Sequence, residues 1–230
     1  MHEAVQRLVR IENQIKEEIA KLDTKNTNPQ ILKIIAIGKT FPLDAIMPLI
    51  EHGHLHFGEN KVQEAKIKWT NKKKEIPKLN LHFVGKLQTN KAKDVIKIFD
   101  YVHSLESVKQ AEILSKYEKK FKKKIKYFIQ INIGYENQKN GIDPRDAKNF
   151  LEVCKSKYDL NIIGLMCLPP NDKFPERYFK EIKDLKMSLL KLHQHHVLEL
   201  SMGMSDDYIK AIGYGSTYIR IGTKIFGKRK

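Results

Sequence analysis

Lys39 is the residue of this chain whose position most clearly indicates covalent chemistry. It lies near the end of residues 33–40 (KIIAIGKT), an apolar and β-branched run bounded by the polar residues 26–29 and by Pro42. Such a run predicts a short buried strand. A lysine at the exit of a strand buried on both faces holds its amine at the mouth of the core. There it either extends into solvent or, partly desolvated, has a lowered pKa and acts as a nucleophile that forms a Schiff base.

Small residues and hydroxyls in two later segments form a second candidate site. They are Ser201 and Gly203 in SMGMS, and Gly222 and Thr223 in RIGT. Glycines let backbone amides approach an anion, and hydroxyls donate to it. Either segment alone is equally well explained by a tight turn. The two together favour a phosphate site.

The elements that must position these residues alternate between helix and strand. Apolar residues recur at spacings of three and four over residues 3–22, which predicts an amphipathic helix. Eight predicted strands follow, at residues 33–40, 54–57, 81–84, 101–103, 126–133, 162–166, 197–200 and 217–221. A helix or helical turn separates each strand from the next, and Ser205 is expected to cap the helix after the seventh strand.

This alternation predicts an α/β fold, a single parallel (β/α)8 TIM-type barrel, because the strand runs are apolar enough to be covered on both faces. A doubly wound open sheet is the alternative. Since only residues 222–230 follow the last strand, the helix at 3–22 is expected in place of the last outer helix. No repeat or linker interrupts the pattern, so residues 1–230 are predicted to form one domain.

The active face of such a barrel is built from the carboxyl ends of its strands, and the loops after strands seven and eight frequently bind phosphate. Lys39 would follow the first strand, and the two small-residue segments would follow the last two strands. A Schiff-base lysine and a phosphate site at one barrel mouth describe a pocket for pyridoxal 5'-phosphate.

Six segments carry a resemblance to a known family. They are AIGKT at 36–40, FGENKVQE at 57–64, HFVGKLQTNK at 82–91, GLM at 164–166, LSMGMSDD at 200–207 and RIGTKIFG at 220–227. In combination, and over the whole chain, they resemble the pyridoxal phosphate homeostasis protein family. The resemblance implies an alanine-racemase-like barrel without the second domain of that enzyme.

The resemblance and the strand exits together give a set of expected cofactor-binding residues, with no catalytic residue and no metal ligand among them. The set is Lys39, Asn60, Met166, Ser201, Gly203, Arg220, Gly222 and Thr223. The resemblance implies that Ser201, Gly222 and Thr223 contact the phosphate. It also implies that Asn60 and Met166 line the pyridine ring.

The roles implied for Lys39 and Arg220 bear on whether the protein is an enzyme. Lys39 would hold the cofactor as a Schiff base, and Arg220 would face the pyridine nitrogen. A cationic guanidinium there disfavours protonation of that nitrogen and makes the ring a poorer electron sink. Racemases of this barrel type also take an acid/base group from their second domain. We therefore expect a non-catalytic protein of intracellular vitamin B6 homeostasis. The alternative is a pyridoxal-phosphate-dependent amino-acid racemase or related enzyme.

Histidines near the second and third predicted strands are a weaker signal. His52, His54 and His56 alternate in sequence and could share a strand face that ligates a metal. No carboxylate or cysteine at ligand-like spacing accompanies them. His82 is expected in the core of the third strand.

The composition bounds the partners and the location. The net charge of +16 suits a nucleic-acid partner, but the densest lysine runs lie where helices are predicted to end, which favours a solvated basic surface. No run approaches the ~18 apolar residues of a membrane helix, and residues 1–10 lack an apolar signal segment. The two cysteines lack disulfide or zinc spacing and indicate a reducing compartment. We expect a cytoplasmic monomer, with apo-enzymes that receive the cofactor as candidate partners.

Overall fold

Eight parallel strands close into one barrel in the order in which they occur along the chain. The computed structural model describes residues 1–22, 32–135, 140–170, 173–192 and 198–227. The strands are β1 (Lys33–Ile37), β2 (His56–Glu59), β3 (Asn80–Phe83), β4 (Tyr101–Leu105), β5 (Lys126–Ile131), β6 (Asn161–Cys167), β7 (Glu199–Met204) and β8 (Tyr218–Ile221). β8 pairs with β1 to close the barrel, which confirms the predicted (β/α)8 fold.

Helices surround the barrel, one after each strand and one before the first. They are α1 (Glu3–Lys21), α2 (Leu43–Glu51), α3 (Val62–Glu75), α4 (Ala92–Ile98), α5 (Val108–Phe121), α6 (Ala147–Ser156), α7 (Glu176–Leu192), α8 (Tyr208–Gly213) and α9 (Thr223–Phe226). Short 3₁₀ turns at Thr89–Lys91 and Pro144–Asp146 precede α4 and α6. Among the described helices, none is both long and apolar enough to span a membrane.

Helix α1 completes the outer layer where α9 is short. α9 has four residues, and α1 packs against it as well as against α2 and α8. The apolar face of α1 is buried, with Leu8 and Ile11 almost inaccessible to solvent. Burial of each such aliphatic side chain stabilises the fold by about 1.5–3 kcal/mol. The predicted place of the N-terminal helix is therefore confirmed.

The barrel interior is a separate and mixed layer. Six apolar residues from five strands form its own cluster, which is Ile35, Ile37, Tyr101, Phe128, Met166 and Tyr218. Buried polar residues lie on the strands as well, among them His82, His103, Ser201 and Arg220. Burying a polar group costs free energy unless the group is hydrogen-bonded, so these four side chains need partners inside the barrel.

Two strands are shifted relative to the prediction. β2 runs two residues later than expected, so Gly58 and Glu59 belong to the strand and pair with His82 and Phe83 of β3. A Cβ atom at Gly58 would lie 2.4 Å from Cδ1 of Ile37, so a side chain there would displace that of Ile37. The apolar pattern gave no sign of this, because glycine and glutamate usually end strands.

β7 is also longer toward its carboxyl end than expected. Ser201 and Gly203 lie within the strand and not in the loop that follows it. The start predicted at Val197 lies outside the described residues, as do the polar residues 26–29. The prediction that Ser205 caps the next helix is wrong, because α8 has Asp207 at its N-cap. The Asp207 carboxylate instead accepts a hydrogen bond from the amide of Met204 at 2.5 Å, which ties the turn together.

Candidate functional site

The ends of β7, β8 and β1 lie side by side at the carboxyl face of the barrel. β8 stands between the other two, with Ile221 paired to Ala36 of β1 and Arg220 paired to Met204 of β7. A Cβ atom at Gly222 would lie 3.5 Å from the carbonyl oxygen of Ile37, so the backbones beyond β8 and β1 remain in close contact. The lysine turn and the glycine-hydroxyl segment are therefore neighbours at one rim.

The turn that carries Lys39 is held by side chains of α3. Nζ of Lys68 donates to the carbonyl oxygen of Gly38 at 2.8 Å, and the amide of Thr40 donates to Oε1 of Glu64 at 2.6 Å. Thr40 has a φ of +70°, a left-handed conformation that costs energy for a threonine. The residues on both sides of Lys39 are thus fixed, and the Lys39 side chain is half-buried between them.

Lys68 belongs to a buried ionic cluster behind this turn. Its Nζ atom lies 2.8 Å from Oε1 of Glu59 and 3.0 Å from Oε1 of Glu64, and the indole of Trp69 donates to the same Glu59 oxygen at 2.9 Å. Burial raises the pKa of Glu59 against the opposing hydrogen bond from Lys68. For Glu64, burial acts upward, but hydrogen bonds from Lys68 and the Thr40 amide lower the pKa overall.

Arg220 lies inside the barrel just below the rim. Its Nη1 atom donates to Oγ of Ser201 at 2.7 Å, and its Nη2 atom donates to the carbonyl oxygen of Cys167 at 3.0 Å. The side chain is 5% exposed, and this burial lowers its pKa from the ordinary value. An arginine still keeps its charge under such conditions, so the interior holds a fixed cation.

Three histidines extend the hydrogen bonds of Arg220 through the barrel. Nδ1 of His103 lies 2.8 Å from Oγ of Ser201. Nδ1 of His82 lies 2.9 Å from Nε2 of His103, and Nδ1 of His56 lies 3.0 Å from Nε2 of His82. We call this chain of contacts, from Arg220 through Ser201, His103 and His82 to His56, the histidine relay.

Burial favours the neutral form of the inner two histidines of the relay. Burial lowers the pKa of His82 and His103 well below the ordinary value. Their rings are also fixed by stacking, His82 on Tyr101 at 4.2 Å and His103 on Phe128 at 4.3 Å between centroids. The prediction that His82 belongs to the strand-three core is confirmed. Among the described residues, no group of three or more histidine, cysteine or carboxylate side chains is arranged to hold a metal ion.

The remaining expected cofactor residues divide between the interior and the rim. Met166 is buried in the interior apolar cluster, beside Ser201, with which it pairs. Asn60 and Thr223 lie at the rim, after β2 and at the start of α9, and Thr223 is exposed. A Cβ atom at Gly85 would lie 2.0 Å from the carbonyl oxygen of Asn60, so the turn after β3 holds the backbone that carries Asn60.

Gly203 and Ser201 have structural surroundings that the sequence did not indicate. Gly203 has a φ of +89°, and a Cβ atom there would lie 2.7 Å from Cβ of Ala211 in α8, so this glycine allows α8 to pack closely on the strand. The hydroxyl of Ser201 faces Arg220 and His103 inside the barrel. Ser205, directly beyond β7, is the first hydroxyl past the end of that strand.

Sequence reasoning missed the α3 residues and the histidine relay as parts of one site. A usable signal existed for the relay, because His56, His82 and His103 each interrupt an apolar strand at neighbouring barrel positions. For α3, the spacing of Glu64 and Lys68 is that of an i, i+4 pair, but nothing in it indicated a contact with the turn around Lys39.

The chain is similar to proteins of known family and known structure. Residues 12–230 match the family described as alanine racemase, N-terminal domain. The chain is 36% identical over 224 residues to the pyridoxal phosphate homeostasis protein of Haemophilus influenzae, which covers 96% of this chain and 92% of that protein. PipY of Synechococcus elongatus PCC7942 without PLP superposes with a TM-score of 0.82 at 32% identity, covering 94% of this chain and 100% of PipY. With PLP bound, PipY gives a TM-score of 0.78 at 33% identity, covering 93% and 100%.

Proposed function

The chain belongs to the pyridoxal phosphate homeostasis protein family and matches the alanine racemase N-terminal domain, and from this we propose that it binds pyridoxal 5'-phosphate and takes part in intracellular vitamin B6 homeostasis. The observation that carries the proposal is the contact between the ends of β1 and β8, which places the Lys39 turn next to Gly222 and Thr223. The bound form of PipY supports the choice of ligand.

In the proposed complex, the amine of Lys39 holds the cofactor as a Schiff base. The neutral amine nitrogen would bond to the aldehyde carbon and lose its two protons, which would leave with the aldehyde oxygen as water. The residues present suit such a ligand. The half-buried amine of Lys39 can react with the aldehyde, the buried guanidinium of Arg220 can bind the ring nitrogen, and hydroxyls at the rim can bind the phosphate. Arg220 would face the ring nitrogen, with Asn60 and Met166 along the ring.

The phosphate would lie at the rim between β7 and β8. Gly222 and Thr223 are proposed contacts, as expected from the sequence. Ser201 is a less suitable partner for phosphate, because its hydroxyl already binds Arg220 and His103. Ser205 is buried one residue beyond the carboxyl end of β7 and is our preferred third contact.

We propose that the bound cofactor undergoes little or no turnover. Arg220 is cationic and buried, and a cation beside the ring nitrogen opposes the protonation that would make the ring a strong electron sink. The alternative is an amino-acid racemase or related enzyme, which the match to an alanine racemase domain favours. A panel of racemase, transaminase and lyase assays on the loaded protein separates the two, since robust turnover that disappears in Lys39→Ala supports the enzyme.

The decisive experiment for binding is a visible absorption spectrum of the purified protein with pyridoxal phosphate, followed by borohydride reduction and peptide mapping. We expect an imine band, and a reduced adduct on the peptide that contains Lys39. Lys39→Ala should lose both. Lys148→Ala, at an exposed position of α6, is the matched control and should keep both. An adduct on another lysine, or no band in the wild type, would refute the proposal.

The proposed location is the cytoplasm, and the proposed assembly is a monomer that passes its cofactor to apo-enzymes. The location is supported by Cys154 and Cys167, which are buried and not joined in a disulfide, as is usual in a reducing compartment. Analytical ultracentrifugation tests the assembly, and transfer of labelled cofactor to an apo-enzyme tests the partner.

A further inference from the structure

The histidine relay is a continuous polar path through the barrel, and the proposed binding of pyridoxal phosphate leaves it unexplained. It joins Arg220 at one end to His56, near the amino-terminal opening, at the other. Each link is 2.7–3.0 Å long. A path of buried histidines is costly to maintain unless every donor has an acceptor, so the direction of its hydrogen bonds is determined by its ends.

Arg220 sets that direction. A guanidinium only donates, so Oγ of Ser201 must accept from Nη1 of Arg220. The single Ser201 proton then goes to Nδ1 of His103, which must be unprotonated. Since burial keeps His103 neutral, its proton is on Nε2 and is donated to Nδ1 of His82. By the same reasoning His82 carries its proton on Nε2 and donates to Nδ1 of His56.

The opposite direction leaves a donor without an acceptor in the relay. If His103 carried its proton on Nδ1, then both His103 and Arg220 would donate to Oγ of Ser201. The Ser201 proton would then have no acceptor among the relay residues, and an unmade hydrogen bond at a buried hydroxyl is unfavourable. By accepting that proton, His103 therefore fixes the rotation of the Ser201 hydroxyl and leaves the lone pairs of Oγ turned toward Nη1 of Arg220.

We propose that His103 is a positioning residue, which fixes the guanidinium of Arg220 by accepting the hydroxyl proton of Ser201. The consequence for pyridoxal phosphate rests on the proposed function, but the direction of the relay does not. Without His103, the Ser201 hydroxyl rotates freely, and its oxygen is a less well oriented acceptor for Nη1 of Arg220. Arg220 then keeps only its bond to the carbonyl of Cys167, and its place beside a ring nitrogen is less well defined.

The first test uses the protein without cofactor and measures ring ¹⁵N shifts of the histidines by NMR at neutral pH. We expect His103 and His82 as neutral rings with the proton on Nε2. In Ser201→Ala, the Nδ1 signal of His103 should move toward that of an unbonded nitrogen. A His103 ring protonated on Nδ1, or a cationic ring, overturns the proposal.

The second test compares His103→Leu with His103→Asn for pyridoxal phosphate affinity and for the pH midpoint of the visible band. The leucine removes the acceptor, so we expect about tenfold weaker binding, which corresponds to one lost hydrogen bond, and a shifted midpoint. Asparagine retains a carbonyl oxygen for the Ser201 proton and should restore most of the affinity. Phe179→Leu shortens a buried ring of α7 that packs beside Tyr214, outside the relay, and should lower stability without moving the midpoint.

The outcomes distinguish this inference from the function on which its second part rests. If the wild type shows no band, the proposed function fails, and the NMR measurement alone decides the direction of the relay. If the wild type binds pyridoxal phosphate and both His103 variants bind it with the same affinity and the same pH midpoint, the positioning role is refuted. An equal loss of affinity in His103→Leu and His103→Asn also refutes it. Should His103→Leu fail to fold, Ser201→Ala takes its place in the affinity measurement.

Discussion

Nζ of Lys68 lies 2.8 Å from the carbonyl oxygen of Gly38, the residue immediately before Lys39. The same amine contacts Glu59 in β2 and Glu64 in α3. One buried cation therefore joins the lysine turn, the neighbouring strand and the helix behind both. Because its side chain is only 6% exposed, solvent competes weakly with these contacts, and the turn has little freedom to relax.

Substitution Lys68→Met should destabilise the protein and weaken the binding of pyridoxal phosphate. It removes the partner of a carboxylate that is 0% exposed, and breaking a buried pair in this way costs about 3–5 kcal/mol. It also removes the donor to Gly38. Urea unfolding measures the first effect, and titration of the visible band measures the second.

Lys66→Met is the matched control, because Lys66 lies on the same helix with its side chain 61% exposed and its amine 3.7 Å from Asp94. Its effect on the free energy of unfolding should be within about 0.5 kcal/mol. Equal effects of the two substitutions would show that the cluster around Lys68 does not hold the turn.

Gly85→Ala should destabilise the barrel and disturb the rim. A Cβ atom there would lie 2.0 Å from the carbonyl oxygen of Asn60, and because that neighbour is backbone, the two turns must move apart. We expect a loss of about 3 kcal/mol in the free energy of unfolding. Gly213→Ala is the contrasting control, since no atom lies within 4 Å of the added Cβ. It should be neutral or stabilise by up to about 1 kcal/mol. Similar losses in both variants would contradict the steric argument.

The fold was predictable from the sequence because the strands and helices have local patterns of apolar residues that are typical of them. The apolar run before Lys39 and the helical stripe through Leu8 and Ile11 needed no distant information. The shift of β2 was not predictable in this way. Gly58 and Glu59 look like strand breakers, and they are accommodated only because Ile37 fills the space beside the glycine and Lys68 meets the carboxylate.

The sequence allowed us to predict at which strand end each site residue lies. It did not allow us to predict the direction in which each side chain points. Lys39, Gly222 and Thr223 lie at the rim as the strand order required. Ser201 was expected in a loop, and a bulge between β7 and β8 together with a longer β7 places it inside the barrel. Whether a hydroxyl faces a ligand or an arginine depends on the register of two strands, and one sequence carries no direct signal of that register.

The two serines of the SMGMS segment should have separable effects. If Ser205 contacts the phosphate, then Ser205→Ala weakens the binding of pyridoxal phosphate by about tenfold, as one lost charge-assisted hydrogen bond implies. It should leave the weaker binding of pyridoxal, which has no phosphate, unchanged. Ser201→Ala, in contrast, should weaken both ligands by the same factor, because its hydroxyl acts on Arg220. Isothermal titration calorimetry with the two ligands measures the loss of affinity in each variant. If Ser201→Ala weakened the binding of pyridoxal phosphate but not that of pyridoxal, Ser201 and not Ser205 would be the phosphate contact.

The stability of the cofactor-free protein should fall as the pH is lowered from about 6.5 to about 4. Burial lowers the pKa of His56 and of His54 from 6.5 to about 4, so over this window the unfolded chain binds protons that the folded chain does not. Stability linked to such groups is fully present above the unfolded pKa and is lost toward the folded one. His56 faces Lys33, Lys126, His54 and Asp100, of which only the carboxylate favours its charge.

The contribution of His56 is separable from that of other titrating groups by substitution. Replacing it in His56→Gln should reduce the loss of unfolding free energy across this window by about 2 kcal/mol, a figure discounted for the partial exposure of the ring. His52 is exposed and acts only as the smallest of the influences on the pKa of His54, so His52→Gln should change the slope far less than His56→Gln does. Urea unfolding at a series of pH values provides both slopes. Equal slopes for the wild type and His56→Gln would mean that the outer end of the relay titrates as it does in the unfolded chain, and that the barrel opening admits water freely to His56.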